Sequence, residues 1–351
     1  MTVSKKTNQV GFTIVELLVA ITLGLIILAG LTTVFVNTSR SRDEIERSNQ
    51  QIENGRYAMQ LLTDDLRNAG YLAAFSPAPL TTPATKPDPC ATTLAALIAA
   101  LPISVQGYDN GASAPTCLSD VRTGTDIIVV RRASVCAIGD TGCDVVLSGA
   151  PYFQASACGS STELGSTTAT NWFALDTNTA NLTLHKKDCN PPTTAGTIAP
   201  YYQYRVHIYF IANNDQSGDG IPTLKRAELG ASSFTIVPLV EGIENMQIEY
   251  GLDTTAPTTG VPAVFNANPD TYNTCAGAIC VGYWRNTVAA QINLLARNIT
   301  TTSGYSDAKS YALGLKADGT SNTFGPFNDS YRRHAYSSVV RLNNSSGRNS
   351  P

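Results

Sequence analysis

The sequence predicts an α+β protein: a long N-terminal α-helix, apolar in its first half and amphipathic in its second, packed on an antiparallel β-sheet head with disulfide-linked loops. Three observations carry this expectation. Between Phe12 and Val36 only Glu16 is ionisable, and helix-compatible sequence continues to Ala69. Beyond residue 200, several runs alternate apolar and polar residues with the period of half-buried strands. All eight cysteines follow the apolar run.

At about 1.5 Å per residue, the run from Phe12 to Val36 is long enough to cross the roughly 30 Å hydrocarbon layer of a bilayer. Lys5 and Lys6 precede it and no acid does. The N-terminus is therefore expected to face the cytoplasm, with the rest of the chain outside the inner membrane. Two plainer readings compete. A secretory signal peptide needs a small-residue cleavage site after the apolar run; Ala29-Gly30 offers one, but the helical pattern does not stop there. A plain anchor accounts for the length but not for Glu16, because a carboxylate in an apolar helix is costly unless it finds a partner or snorkels. Glu16 is near enough to the cytoplasmic end to snorkel, so the plain anchor stays open.

From residue 37 to 70 the helix changes face. Ile45, Ile52, Met59 and Leu66 recur every seven residues, and Ser48, Gly55, Leu62 and Ala69 sit three further on. This narrow stripe is expected to pack on the sheet of the head, since a coiled coil needs more heptads and cleaner positions. Asp43, Glu44, Glu53, Asp64, Asp65 and Arg67 lie off it. Gly70 is placed to stop the helix at its C′ position.

The head is then residues 71–351, with a loop-rich part at 76–200 and a sheet core at 201–343. Pro77, Pro79, Pro83, Pro87 and Pro89 preclude a regular element where they cluster. Leu94 to Leu101 reads as a short helix ended by Pro102, and Asp126 to Arg132 as a strand built on Ile127, Ile128, Val129 and Val130. Residues 136–200 read as crosslinked loops over a sheet. After them Tyr204, Val206, Ile208 and Phe210 alternate with Arg205, His207 and Tyr209. Met246, Ile248 and Tyr250 alternate with Gln247 and Glu249, and Val288, Ala290, Ile292 and Leu294 with Gln291 and Asn293. Ala335 to Leu342 is a last strand, and Pro238 to Glu244 reads as a short helix. The expected result is one antiparallel sheet with one face covered by the helix stripe.

Charge and cysteines narrow the function. Without residues 1–11, Lys5 and Lys6 are lost from the 24 Lys and Arg residues while all 27 acids remain, a net of −5. That disfavours broad binding of nucleic acid, which needs a basic surface. Cys90, Cys117, Cys136, Cys143, Cys158, Cys189, Cys275 and Cys280 would all lie in an oxidising compartment, where an even number reads as disulfides. Neighbour pairing is expected: Cys90 with Cys117, Cys136 with Cys143, Cys158 with Cys189, and Cys275 with Cys280. Zinc is disfavoured, because no Cys-x-x-Cys occurs and His185, His207 and His334 are scattered. Asp215, Ser217, Asp219 and Gly220 match the first half of a calcium loop, but the twelfth position, normally Glu, is Arg226. The competing reading is a polar hairpin turn. No nucleophile elbow, P-loop or His-Glu-x-x-His motif is present, so no catalysis is expected. Trp172, Trp284, His207 and the tyrosines at 201, 202, 204 and 209 read first as packed side chains.

The lysine-bearing leader followed by Gly11-Phe12-Thr13-Ile14-Val15-Glu16-Leu17-Leu18-Val19 resembles the class III signal of type IV prepilins. The resemblance implies a pilin-like fold, cleavage between Gly11 and Phe12 by a prepilin peptidase, and N-methylation of Phe12. It makes Glu16 the residue that pairs with the free amine of a neighbouring subunit and so fixes axial register. Leu224-Lys225-Arg226, Val240 to Gly251, Val288 to Arg297, Tyr331-Arg332-Arg333 and Arg341-Leu342-Asn343 are similar to the PilW family of minor pilins. Leu342 departs from the more usual arginine–asparagine pair. The family implies a single-pass inner-membrane subunit with a periplasmic head. It would join an extracellular type IV pilus near its tip, with other minor pilins, the major pilin and a tip adhesin. Twitching, DNA uptake or adhesion would be the readout. The alternatives are a type II secretion pseudopilin similar to GspJ, a membrane-tethered binding module that never polymerises and, more distantly, a membrane-anchored hydrolase.

Overall fold

The computed structural model describes residues 11–111, 114–189 and 197–349. The chain divides into two compact units, one ending at Gln50 and the other beginning at Gln51. Lys5, Lys6 and the expected leader up to residue 10 lie outside the described residues.

The first unit holds the start of helix α1 (Ile14–Arg67). Every large apolar side chain from Phe12 to Phe35 is more than half exposed. The hydroxyls of Thr22, Thr32, Thr33 and Ser41 donate to carbonyls one turn earlier, so each of these hydroxyls is satisfied without water. The helix end lies two residues before the expected Ala69. Asn68 and Ala69 close tight turns on the carbonyls of Asp65 and Leu66, and Gly70, at φ +72°, donates its N–H to Arg131. A side chain there would meet Ser104 Cβ at 2.9 Å, so both conformation and space require glycine.

In the second unit the elements follow as α2 (Leu94–Ala100), β1 (Val105–Tyr108), β2 (Ile127–Ala133), β3 (Tyr152–Ala155), β4 (Phe173–Asp176), β5 (Tyr201–Ala212), β6 (Thr223–Leu229), β7 (Phe234–Glu241), β8 (Ile243–Leu252), β9 (Val264–Asn266), α3 (Ala278–Arg285), β10 (Thr287–Arg297), β11 (Tyr311–Leu315), β12 (Ser321–Phe324), β13 (Arg333–Arg341) and α4 (Asn343–Asn349). All strand pairings are antiparallel. The first sheet is centred on β5, which pairs β2 along 204–209, β3 along 201–203 and β6 along 207–212. The second runs β13-β10-β8-β9, and β11–β12 form a separate hairpin.

Two sheets, not one, therefore make the head, and the loop-rich part contributes β1, β3 and β4 to the first. Each of these three is only four residues long, too short for a periodic signal. The segment expected as a helix at Pro238–Glu244 is the end of β7, a turn at Gly242 (φ +75°) and the start of β8. Pro238 is accommodated because β7 is an edge strand and its register on β6 shifts there.

The alternation along β5 is real, but both faces are covered. Tyr204, Val206, Ile208 and Phe210 face a core made with α2, Leu72, Phe75 and Phe153. Tyr209 and Ile211 face the core shared by Leu62 and Leu66 of α1 and the second sheet. The helix thus takes the face that reads as polar. Its packed stripe is Gln51, Gly55, Ala58, Leu62, Asp65 and Leu66. Gly55, Leu62 and Leu66 belong to it as expected, Met59 packs half-buried on the same core and Ala69 is buried just past the helix end, whereas Ile45 and Ile52 are exposed and Asp65 is buried. On β8 the inward Met246, Ile248 and Tyr250 join the same core. The outward Gln247 and Glu249 are also buried: they bond Asn322 of β12 and the Leu315 N–H of β11.

Candidate functional site

The stem begins with Gly11, Phe12 and Thr13 ahead of α1. Glu16 Oε2 accepts the Thr13 N–H at 3.0 Å and the Thr13 hydroxyl at 2.9 Å, while Thr13 Oγ1 accepts the Glu16 N–H at 3.3 Å. This is a capping box: two free amides at the helix start are satisfied reciprocally, and a carboxylate sits at the positive end of the helix dipole. The Thr13-x-x-Glu16 spacing is legible in sequence, and the reading of Glu16 as a lone acid overlooked it. Phe12 is 86% exposed. A Cβ added to Gly11 would meet nothing within 4 Å, so the chain's own packing does not call for glycine there.

The seat of the helix in the head is an ion cluster. Asp65 Oδ1 accepts from Arg132 Nε at 2.6 Å; Oδ2 accepts from the Tyr209 hydroxyl at 2.8 Å and lies 2.7 Å from His207 Nδ1. Burial works against the charge on Asp65, but His207 and Arg132 outweigh it and hold its carboxyl well below the usual carboxylate range. Arg226 donates to the Tyr209 hydroxyl at 3.3 Å and pairs with Glu228. His207, read as a packed side chain, is packed and also within hydrogen-bond distance of Asp65. Asp65 was missed; an acid one position from an apolar stripe, with histidine and tyrosine on the facing strand, was the available signal.

A second cluster pins the far end of the second sheet. Arg333, with 1% of its side chain exposed, bonds Glu244, Asp307 at 3.0 Å and Asp329. Arg122 Nη2 reaches Glu244 at 3.4 Å. Three acids around one guanidinium tie β13 to the start of β8 and to the segment leading into the β11–β12 hairpin. Arg333 had stood out in sequence only through the family resemblance.

The disulfides join Cys90–Cys117, Cys136–Cys143, Cys158–Cys189 and Cys275–Cys280. The calcium-like loop is the β5–β6 hairpin turn. Asp219 accepts the backbone N–H groups of Asp215, Gln216 and Ile221, and Lys225 Nζ donates to the Asp215 carbonyl at 2.8 Å. Ser217 is exposed at the tip. The loop's acceptors point at its own amides and an ammonium, which is the Asx-turn arrangement of the competing reading. Among the described residues no group of three or more His, Cys, Asp or Glu side chains is placed to hold a metal. Trp284 is buried against Tyr250 and donates its indole N–H to Asp270, and Trp172 donates to the Ser166 carbonyl.

An apolar helix long enough to cross a membrane, capped by an acid, continues into an antiparallel head closed by four disulfides. The chain carries a domain of the PilW family, described as type IV pilus-assembly protein W, over residues 208–344, and the prokaryotic N-terminal methylation motif over residues 6–32. No curated protein and no solved structure matches it. The PilW match runs from the middle of β5 into α4. The family is structural and non-catalytic, and it ties the chain to pilus assembly in general terms. The N-terminal motif and apolar helix are consistent with membrane anchoring before secretion.

Proposed function

We propose that the chain is a minor pilin that primes assembly of a type IV pilus and is incorporated near its tip, with other minor pilins, the major pilin and a tip adhesin. The observation that carries this reading is an exposed apolar stem, bearing one acid, joined to a PilW domain. Residues 1–11 are the leader, 12–36 the membrane half of the stem, 37–70 its amphipathic half and 71–351 the head. A peptidase cuts between Gly11 and Phe12, and Phe12 is methylated. The demand for glycine at 11 then comes from the peptidase, consistent with the open space around it. The stem leaves the inner membrane for the filament, where the Phe12 amine of one subunit meets Glu16 of the next. Glu16 Oε2 is engaged by Thr13, and Oε1 is the oxygen offered to that amine. The head ends outside the cell.

Intact-mass measurement and sheared-filament composition test this in a piliated host. Gly11→Val should retain the mass of residues 1–11, and normal trimming of that variant would refute the processing step. Glu16→Gln keeps an acceptor for the Thr13 amide but removes the charge. It should be trimmed normally yet be depleted from filaments, and wild-type incorporation would refute the register role.

A further inference from the structure

A cleft of about 470 Å³ lies beside α3, bordered by Thr254, Tyr272, Asn273, Gly282, Tyr283 and Asn286. We propose that it binds a neutral carbohydrate. The site lies wholly in the head and is independent of leader processing.

The donors and acceptors its lining leaves open are uncharged. Asp253 also borders it, but the carboxylate accepts from the Thr255 N–H (3.2 Å) and hydroxyl (2.5 Å) and from the N–H groups of Thr259 (2.7 Å) and Gly260 (2.7 Å). A carboxylate has about four lone-pair sites, so none is left for a cation or a ligand hydroxyl. The adjacent Arg285 directs its guanidinium onto the carbonyls of Ala78 and Leu80 and the hydroxyl of Thr82, away from the cleft's lining. What remains is the exposed Ile279 side chain and two half-buried tyrosines that pack on the core and meet edge to face, ring centroids 4.9 Å apart, together with the Thr254 hydroxyl and the Asn273 and Asn286 amides. A hydroxyl or an amide side chain both donates and accepts. An aromatic surface beside such groups suits a pyranose, which offers C–H faces to the ring and hydroxyls to the amides.

One feature of the wall has no packing explanation within the chain. Gly282 lies inside helix α3, where glycine is a poor helix former. A Cβ there would meet nothing within 4 Å, so no packing requires it; close approach of a ligand to the helix does. Asn273, on the wall, adopts positive φ, +51°, a conformation asparagine tolerates; Thr274, at +50°, lies off the wall and donates its hydroxyl to the Asn273 carbonyl. The Cys275–Cys280 disulfide closes this same segment. A peptide strand is a poorer fit, since β8 is already paired on both sides by β9 and β10 and offers no open ladder.

The test is saturation-transfer NMR on the full chain in a sugar-free zwitterionic detergent. The probes are lactose, cellobiose, diacetylchitobiose and a mannose disaccharide, with trialanine as the peptide control. At least one sugar should show transfer, weakened about tenfold by Asn286→Ala or Tyr283→Ala, the loss of one good contact. Gly282→Leu should abolish it while the melting temperature stays level or rises. This variant guards against misreading Tyr283→Ala, whose ring packs partly on the core. Silence from all four sugars, transfer that survives Gly282→Leu, or transfer from trialanine lost in the same variants would each overturn the proposal.

Discussion

A carboxylate inside an interface is destabilising unless its charge is matched, and Asp65 is matched on both oxygens. Its partners Arg132, His207 and Tyr209 come from β2 and β5, far along the chain. Removing one member of a buried charged set leaves the others unpaired, at a cost of about 3–5 kcal/mol. Asp65→Ala should lower unfolding stability at neutral pH by that amount, read by denaturant titration of the full chain in detergent. The pH dependence follows from the lowered pKa. Asp65 stabilises fully above its ordinary value of 3.8, and the contribution is lost as pH falls below it toward the depressed value. Asp65→Asn should therefore flatten the acid limb of stability below about pH 4; an unchanged limb would show that the charge is not what anchors the helix. At this scale the sequence was legible where neighbours in the chain interact, as in the Thr13–Glu16 box. It was silent on Asp65, whose environment is set by strands more than sixty positions away.

For the helix as an element, period was easier to read than phase. The seven-residue stripe identified Gly55, Met59, Leu62 and Leu66, but it placed Ile45 and Ile52 with them and left Asp65 out. The packed face is rotated toward Gln51, Ala58 and Asp65 because the strand face it meets carries His207 and Tyr209. Gln51 confirms the polar character of the seat, donating to the carbonyls of Ala296 at 2.8 Å and Arg332 at 2.9 Å. Gly55 marks the closest approach: an added Cβ would lie 2.2 Å from the Tyr336 ring. In an exposed helix Gly→Ala stabilises by up to about 1 kcal/mol. Here Gly55→Ala should instead destabilise by about 1–3 kcal/mol through overpacking. In a Tyr336→Leu background the same substitution should be neutral or favourable, and a double-mutant cycle reads the difference.

Across the whole molecule, β5, β8, β10 and β13 were legible because each is nine or more residues long, whereas β9, β11 and β12, three to five residues long, and the end of β7, which reads as a helix, were not. Nor was the grouping into two sheets, because β7 to β8 looks locally like a continuous turn-bearing segment around Gly242. The hairpin β11–β12 covers the outward face of β8, so residues that read as solvent-facing, Gln247 and Glu249, are buried by partners some seventy positions away. Likewise β3 and β4 are recruited from a stretch with no strand signal, each held by a neighbouring strand and the phenylalanine contacts of Phe75, Phe153 and Phe173.

The residues alone determined the apolar stem, its acid, the oxidised head and the strand periods, because each depends on side chains adjacent or one turn apart. The tertiary structure decided which face of β5 receives the helix, which acids are buried and how the strands divide. Those outcomes rest on desolvation and charge pairing between segments remote in the chain, and local periodicity carries no record of them.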